Sequence, residues 1–293
     1  MAIEVVLNEN VFFRCSELHL ICHETTIKLN EKFTKGTRLC NVVRYKFVRS
    51  KTWQKQWVPK KRNFQESNPN LISERYEKVV FDRKWLKENV RGKSNLIVLV
   101  LESPHVSEYD DYKPLIPANG RTGDKIDKYV QSLFNALIKG GLDEEIDEWF
   151  FAIVNPVPWQ ASLGRFIKGK LQACLRDTVW KKVYTDNYGN CKDYFESIIQ
   201  SLPENAIIIN ACTGGKINFE KHTDTSVVDK CPINRFVMES IMNNRCRTHN
   251  VFFTNHPSAW GPDKKCELYK ANFENNHGVK LEFVENFKND NTP

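Results

Sequence analysis

No apolar run in this chain approaches the length of a membrane span. The longest purely aliphatic stretch, residues 96–101, is six residues, where a spanning helix needs about 20. The first residues, Met1-Ala2-Ile3-Glu4, show neither the basic start nor the apolar block of a secretion signal, so a cytoplasmic protein without membrane attachment is expected. Cysteines at CxxC spacing are missing as well. The nine cysteines are odd in number and scattered, which argues against a disulfide framework and for reduced thiols that mostly fill the core. Residues 1–90 show no internal repeat. Acidic residues are absent from positions 44–62, and that absence leads to what the chain does contain.

The sequence has 293 residues, enough for one large domain or a domain with a smaller module. It is 41% hydrophobic, with seven Trp and 18 Phe to pack a core. The net charge of +7 is unevenly placed: residues 1–95 hold 20 Lys+Arg against 10 Asp+Glu, and the rest hold 23 against 26. Within the first third, Arg44, Lys46, Arg49, Lys51, Lys55, Lys60, Lys61 and Arg62 are interleaved with Tyr45, Phe47, Trp53 and Trp57. Basic groups track phosphates and aromatic faces accept bases, so this mixture suits nucleic acid. The same pattern also fits a solvated strand pair whose aromatics point inward. Arg91-Gly92-Lys93-Ser94-Asn95 reads as a boundary, giving a basic N-terminal region, 1–92, and a second unit, 93–293.

Residues 5–13 and 38–48 look strand-like, 63–70 reads as a loop, and 71–89 looks helical toward its end. From residue 96 the pattern becomes regular. Apolar runs at 96–101, 150–154, 206–210 and 251–254 read as buried strands. Helical spacing is clear at 124–138, where Ile126, Val130, Leu133, Phe134 and Leu137 recur and Gly140-Gly141 marks the stop. Further helices are predicted at 166–182, 191–202 and 233–243. Strands alternating with helices imply an α/β fold with a parallel sheet covered on both faces.

Two of these strands end on chemistry-bearing residues: Glu102-Ser103-Pro104-His105 after the first, and Asn255-His256-Pro257-Ser258 after the last. Ligands of open α/β sheets bind at the carboxyl ends of the strands, so the two loops are expected to share one crevice and to bring Glu102 and His256 together as an acid/base and electrostatic pair. Cys15, His19, Cys22 and His23 are spaced to share a helix face and hold zinc, but the same spacing serves packing, and no metal site is expected.

The motifs carry a resemblance. Leu101-Glu102-Ser103-Pro104-His105-Val106-Ser107-Glu108 resembles the G-E-A-P-G-x-x-E motif of the uracil-DNA glycosylase superfamily, in the branch that usually carries an iron–sulfur cluster. Gly120-Arg121-Thr122-Gly123-Asp124-Lys125-Ile126-Asp127 is similar to that branch's G-R-A-G-x-x-L-D. Ile153-Val154-Asn155-Pro156 resembles its second strand, and Thr254-Asn255-His256-Pro257-Ser258-Ala259 its closing H-P-S-A. The resemblance covers roughly residues 95–275. Leu101 stands where the family has its leading glycine, and Ser103 where the best-known uracil-excising branch has a water-activating aspartate. The cluster-binding cysteine pattern is missing, so no iron–sulfur cluster and no other cofactor is expected.

The resemblance implies a three-layer α/β/α sandwich around a four-stranded parallel sheet, with the basic N-terminal region gripping DNA. It implies a monofunctional glycosylase that hydrolyses the N-glycosidic bond of a flipped pyrimidine. Asn155 would read the base edge, unless it only caps a turn before Pro156. His256 would donate to the base O2 as negative charge develops there. Glu102 would position or deprotonate water or stabilise the oxocarbenium ion, its alternative being a carboxylate that caps backbone N–H groups. His105 and Glu108 are secondary candidates for water activation. Ser258 would contact a phosphate, and Lys60, Lys61 and Arg62 would hold others. Trp260 would fill the gap left by the flipped nucleotide, or simply be buried.

In the uracil-excising branch a tyrosine closes the pocket beside C5. His105 matches that position here, and Thr213-Gly214-Gly215-Lys216 adds small polar residues near the same mouth. The favoured substrate is therefore a bulky C5-modified cytosine, such as the glucosylated hydroxymethylcytosine of phage DNA, with uracil as the alternative. The partner would be duplex or single-stranded DNA, bound by a monomer. A module of the same fold that reads a base without cleaving it is the main rival. A metal-dependent nuclease is disfavoured, because the motif loops lack a cluster of acidic ligands.

Overall fold

The computed structural model describes residues 6–8, 11–14, 18–20, 25–27, 41–49, 57–60, 80–105, 108, 117–118, 120–142, 146–158, 177, 180–181, 183–187, 190–213, 233–244, 250–261, 266–273 and 279–287. Two small hairpins come first, β1 (Val6–Asn8) with β2 (Val11–Arg14) and β3 (Leu18–Leu20) with β4 (Thr25–Ile27). The strand expected over 5–13 is thus a hairpin. His19 lies on β3, so the helix face expected to join it to Cys15, Cys22 and His23 does not form; those three residues lie outside the described ones.

The main sheet follows. It uses β5 (Val42–Arg49), β6 (Trp57–Lys60), β7 (Ser94–Val100), β8 (Glu148–Val154), β9 (Ile207–Asn210), β10 (Asn250–Thr254), β11 (Glu267–Phe273) and β12 (Val279–Asn286). Their order is β12-β11-β10-β9-β7-β8-β5-β6. The four strands β10, β9, β7 and β8 pair in parallel. The sheet is larger than the four strands expected, because antiparallel strands extend both edges: β11 and β12 beyond β10, and β5 and β6 beyond β8. β5 and β6, from the region read as 1–92, thus lie in the same sheet as the strands of 93–293.

Why these residues form these elements is plain from their burial. The parallel strands are nearly continuous apolar runs covered on both faces, as crossover helices require. Along β7 and into the residue after it, Ile97, Leu99 and Leu101 face one core, and Leu96, Val98 and Val100 face the other. Helix α1 (Arg83–Asn89) starts where the Asp82 carboxylate accepts from the Trp85 N–H at 2.7 Å. Helix α2 (Arg121–Lys139) packs Ile126, Tyr129, Val130, Leu133, Phe134 and Leu137 into the first core. Helices α3 (Cys191–Ser201) and α4 (Ile233–Asn244) pack Phe195, Ile198, Ile199, Val237, Met238 and Ile241 into the second, where α1 adds Leu86. The result is three layers. Most of the helix expected over 166–182 lies outside the described residues. No helix among the described residues is long and apolar enough to cross a membrane.

The strand order places the site. From β7 the chain crosses by α2 to β8 on one side, then returns by α3 to β9 on the other side of β7. The carboxyl ends of β7 and β9 therefore flank the point where the winding reverses, the usual crevice of such sheets.

Candidate active site

A cavity of about 330 Å³ opens at that reversal point. Glu102, Ser103 and His105 line it from the loop after β7, with Glu108 further along the same connection. Asn155 follows β8, Thr213 follows β9, and His256 and Ser258 follow β10. The first turn of α2 closes it with Arg121 and Thr122. All five residues expected to be catalytic thus meet around one space, together with Ser258. Arg121 and Thr122 were not anticipated as site residues. The signal was present, since a Gly-Arg-Thr-Gly sequence opening a long helix offers N–H groups and the positive end of the helix dipole.

Glu102 is held firmly. Its backbone carbonyl accepts from Trp180 Nε1 at 2.9 Å, and its Oε1 accepts from the backbone N–H of Thr213. The carboxylate therefore bridges the ends of β7 and β9 and caps a backbone N–H, as its alternative reading expected. Asn155 is 2% exposed, and its backbone N–H donates to Asn41 Oδ1 at 3.0 Å. Its side-chain Oδ1 is buried with no hydrogen-bond partner. The oxygen caps no turn, so the capping alternative does not account for it. Such an atom costs about 1–3 kcal/mol when nothing meets it.

His256 precedes the 3-10 turn Pro257–Ala259. Its Nδ1 lies 2.9 Å from Ser258 Oγ and accepts from the Ser258 backbone N–H at 3.3 Å. A backbone N–H can only donate, so this contact favours the tautomer with its proton on Nε2. The His-Pro-Ser sequence thus biases the tautomer of its own histidine. Ser258 itself is exposed at the rim.

Glu108 sits deeper, 5% exposed. Burial pushes its carboxyl up to about 8, against the lowering effects of backbone N–H groups of His105 and Ala118 and of the Arg44 charge. At neutral pH burial favours its protonated form, which is not the carboxylate base that the sequence suggested for water activation. Its Oε2 is buried without a partner.

Arg44, read as part of a DNA-facing basic stripe, is instead internal at 8% exposure. It pairs with both carboxylate oxygens of Asp127 at 3.0 and 3.1 Å and donates to the Ala118 carbonyl at 2.9 Å. Tyr45 also donates to Asp127. Ala118 is left-handed, with φ of 57°, a strained geometry for a non-glycine residue. Gly123 explains how α2 reaches this turn: a Cβ there would lie 1.8 Å from the Ala118 carbonyl oxygen. The cavity wall is therefore wired to strand β5, which lies between β8 and β6. Lys46 is likewise engaged within the molecule, 2.6 Å from Glu148.

Trp260 requires a correction. It is 1% exposed, donates from Nε1 to the Asn255 carbonyl at 2.8 Å, and packs edge-on against Phe287 and Tyr129. It is a core residue beneath the histidine loop, not a wedge facing a base stack. Lys60 ends edge strand β6, while Lys61 and Arg62 lie outside the described residues. Among the described residues no group of three or more His, Cys, Asp or Glu is arranged to hold a metal ion. No family model matches the chain, and no curated protein and no solved structure matches it.

Proposed function

We propose that the protein is a monofunctional DNA glycosylase of the uracil-DNA glycosylase type, acting on a pyrimidine flipped into the cavity between the ends of β7, β8, β9 and β10. The observation that carries this reading is Asn155: a buried amide oxygen with no partner, in the same cavity as a histidine whose Nδ1 accepts from the Ser258 N–H and so leaves Nε2 to donate. An amide matches the edge of a pyrimidine, and an Nε2–H donor matches the oxygen on which negative charge grows as the glycosidic bond breaks. Glu102, oriented by Thr213, faces the positive charge developing on the sugar and positions the attacking water. The volume, about 330 Å³, is at the small end of the roughly 300–1,000 Å³ typical of ligand pockets. That suits one nucleoside-sized group.

The favoured base is a C5-modified cytosine, as in glucosylated phage DNA, because His105 and Thr213 leave small polar groups where the uracil-excising branch has a tyrosine; uracil is the alternative. Ser103, in place of an aspartate, favours a second reading, a module that holds a base without cleaving it. One assay separates these readings. Duplexes carrying uracil or glucosylated hydroxymethylcytosine are incubated with the protein in EDTA, and alkali-labile sites are counted. Abasic sites at one of these bases are expected. Tight binding with no product would select the binding module. Asn155→Ala and His256→Ala should each slow single-turnover excision on the order of 10²-fold, about 2.7 kcal/mol, with DNA affinity nearly unchanged. Wild-type rates in both variants would remove the assignment.

A further inference from the structure

We infer that Glu108 is a proton-donating residue of this cavity, delivering the hydrogen on Oε2 to a base too poor a leaving group to depart as an anion. The inference rests on the glycosylase reading and extends it to the class of base.

Glu108 lines the same cavity as Asn155 and His256, and its Oε2 has no hydrogen-bond partner. Backbone N–H groups of His105 and Ala118 bind the carboxyl from the loop after β7 and from the strained turn before α2. A carboxyl held by two donors and left with one buried, unpartnered oxygen has a defined direction in which to give a hydrogen bond. The surroundings favour the protonated form before reaction and tolerate the charged form after it. Burial keeps the carboxyl protonated at neutral pH, and Arg44 offsets the charge left once the proton is gone. An acid that titrates near the working pH is the most effective donor. The charged and titratable groups around it are Arg44 from β5, Asp127 and Arg121 from α2, Glu102 and His105 after β7, and His256 after β10.

The C1′–N1 bond breaks with its electron pair passing to the base. The Oε2–H bond breaks and its proton goes to a ring nitrogen or carbonyl oxygen of that base. Water adds to C1′ and releases one proton, which restores the Glu108 carboxyl. The base leaves neutral. Cytosine-class bases, whose anions are strongly basic, need this proton, whereas an electron-poor base such as 5-fluorouracil leaves as an anion without it.

The test uses single-turnover excision by the full chain across pH 6–10, on duplexes carrying 5-hydroxymethylcytosine, its glucosylated form or 5-fluorouracil. The wild type should lose cytosine-class excision above pH 8; 5-fluorouracil, whose own N3–H ionises in this range, is compared between wild type and variant at each pH. Glu108→Gln, which keeps the shape of the neutral acid, should slow cytosine-class excision 10²-fold or more and leave 5-fluorouracil within threefold. Equal slowing of both bases, or an alkaline limb that survives Glu108→Gln, would overturn the role of Glu108 while leaving the glycosylase reading intact. If Glu108→Gln fails to fold, the wild type decides: cytosine-class excision that stays flat from pH 6 to 10 overturns the inference. Release of no base at any pH would refute the glycosylase reading, and this inference with it.

Discussion

Glu108→Gln also makes a prediction that needs no substrate. The folded protein holds the Glu108 proton until about pH 8, whereas the unfolded chain releases it near 4.5. Between those values the unfolded state binds fewer protons than the folded one, so stability falls as pH rises. The slope is about 1.4 kcal/mol per pH unit, and the loss across the whole window is on the order of 5 kcal/mol. Below about 4.5 both states are protonated and the contribution is fully present; above about 8 both are ionised and it is gone. Glutamine mimics the neutral carboxyl at every pH. The variant should match the wild type within about 1 kcal/mol at pH 5 and exceed it by several kcal/mol at pH 8. Urea unfolding of both proteins at pH 5, 6, 7 and 8 measures the difference, in which every other titrating group cancels. Parallel stability curves across that range would show that Glu108 ionises normally and would refute both the burial argument and its use as a proton donor.

Two further predictions concern the walls of the site. Trp260→Ala should destabilise the protein by about 3–5 kcal/mol as the loss of a packed core residue, read in thermal melting. A change below 1 kcal/mol, with binding weakened instead, would mean the indole works at the DNA surface. Gly123→Ala should cost about 3 kcal/mol, since its Cβ would force the Ala118 turn away from α2; calorimetry of the pure variant checks this, and a neutral result would place the turn elsewhere.

Much of the fold was readable one segment at a time. The four central strands and helices α2, α3 and α4 are local patterns: apolar runs stopped by polar residues, or apolar spacing at three and four. The β12 hairpin partner was readable too, since Val279, Leu281 and Phe283 alternate with Lys280 and Glu282, but no motif drew attention to it. Residues at strand ends were equally legible, because a run that stops at Glu102, Asn155 or His256 must leave that residue at the rim of the sheet.

What sequence could not determine is which distant groups share an environment. Arg44 and Asp127 are 83 residues apart, and only the packing of β5 beside β8 turns a basic stripe residue into an internal clamp. Trp260 follows a loop motif, yet Phe287 and Tyr129 bury it. Glu108 reads as one more carboxylate in a motif, and its proton is a property of the enclosure around it. Sequence by itself therefore determined the α/β alternation and the identity of the rim residues, since both follow from local periodicity and strand ends. The tertiary structure alone decided which of them are charged, buried or turned toward one another, because desolvation and ion pairing depend on every chain segment that closes the space.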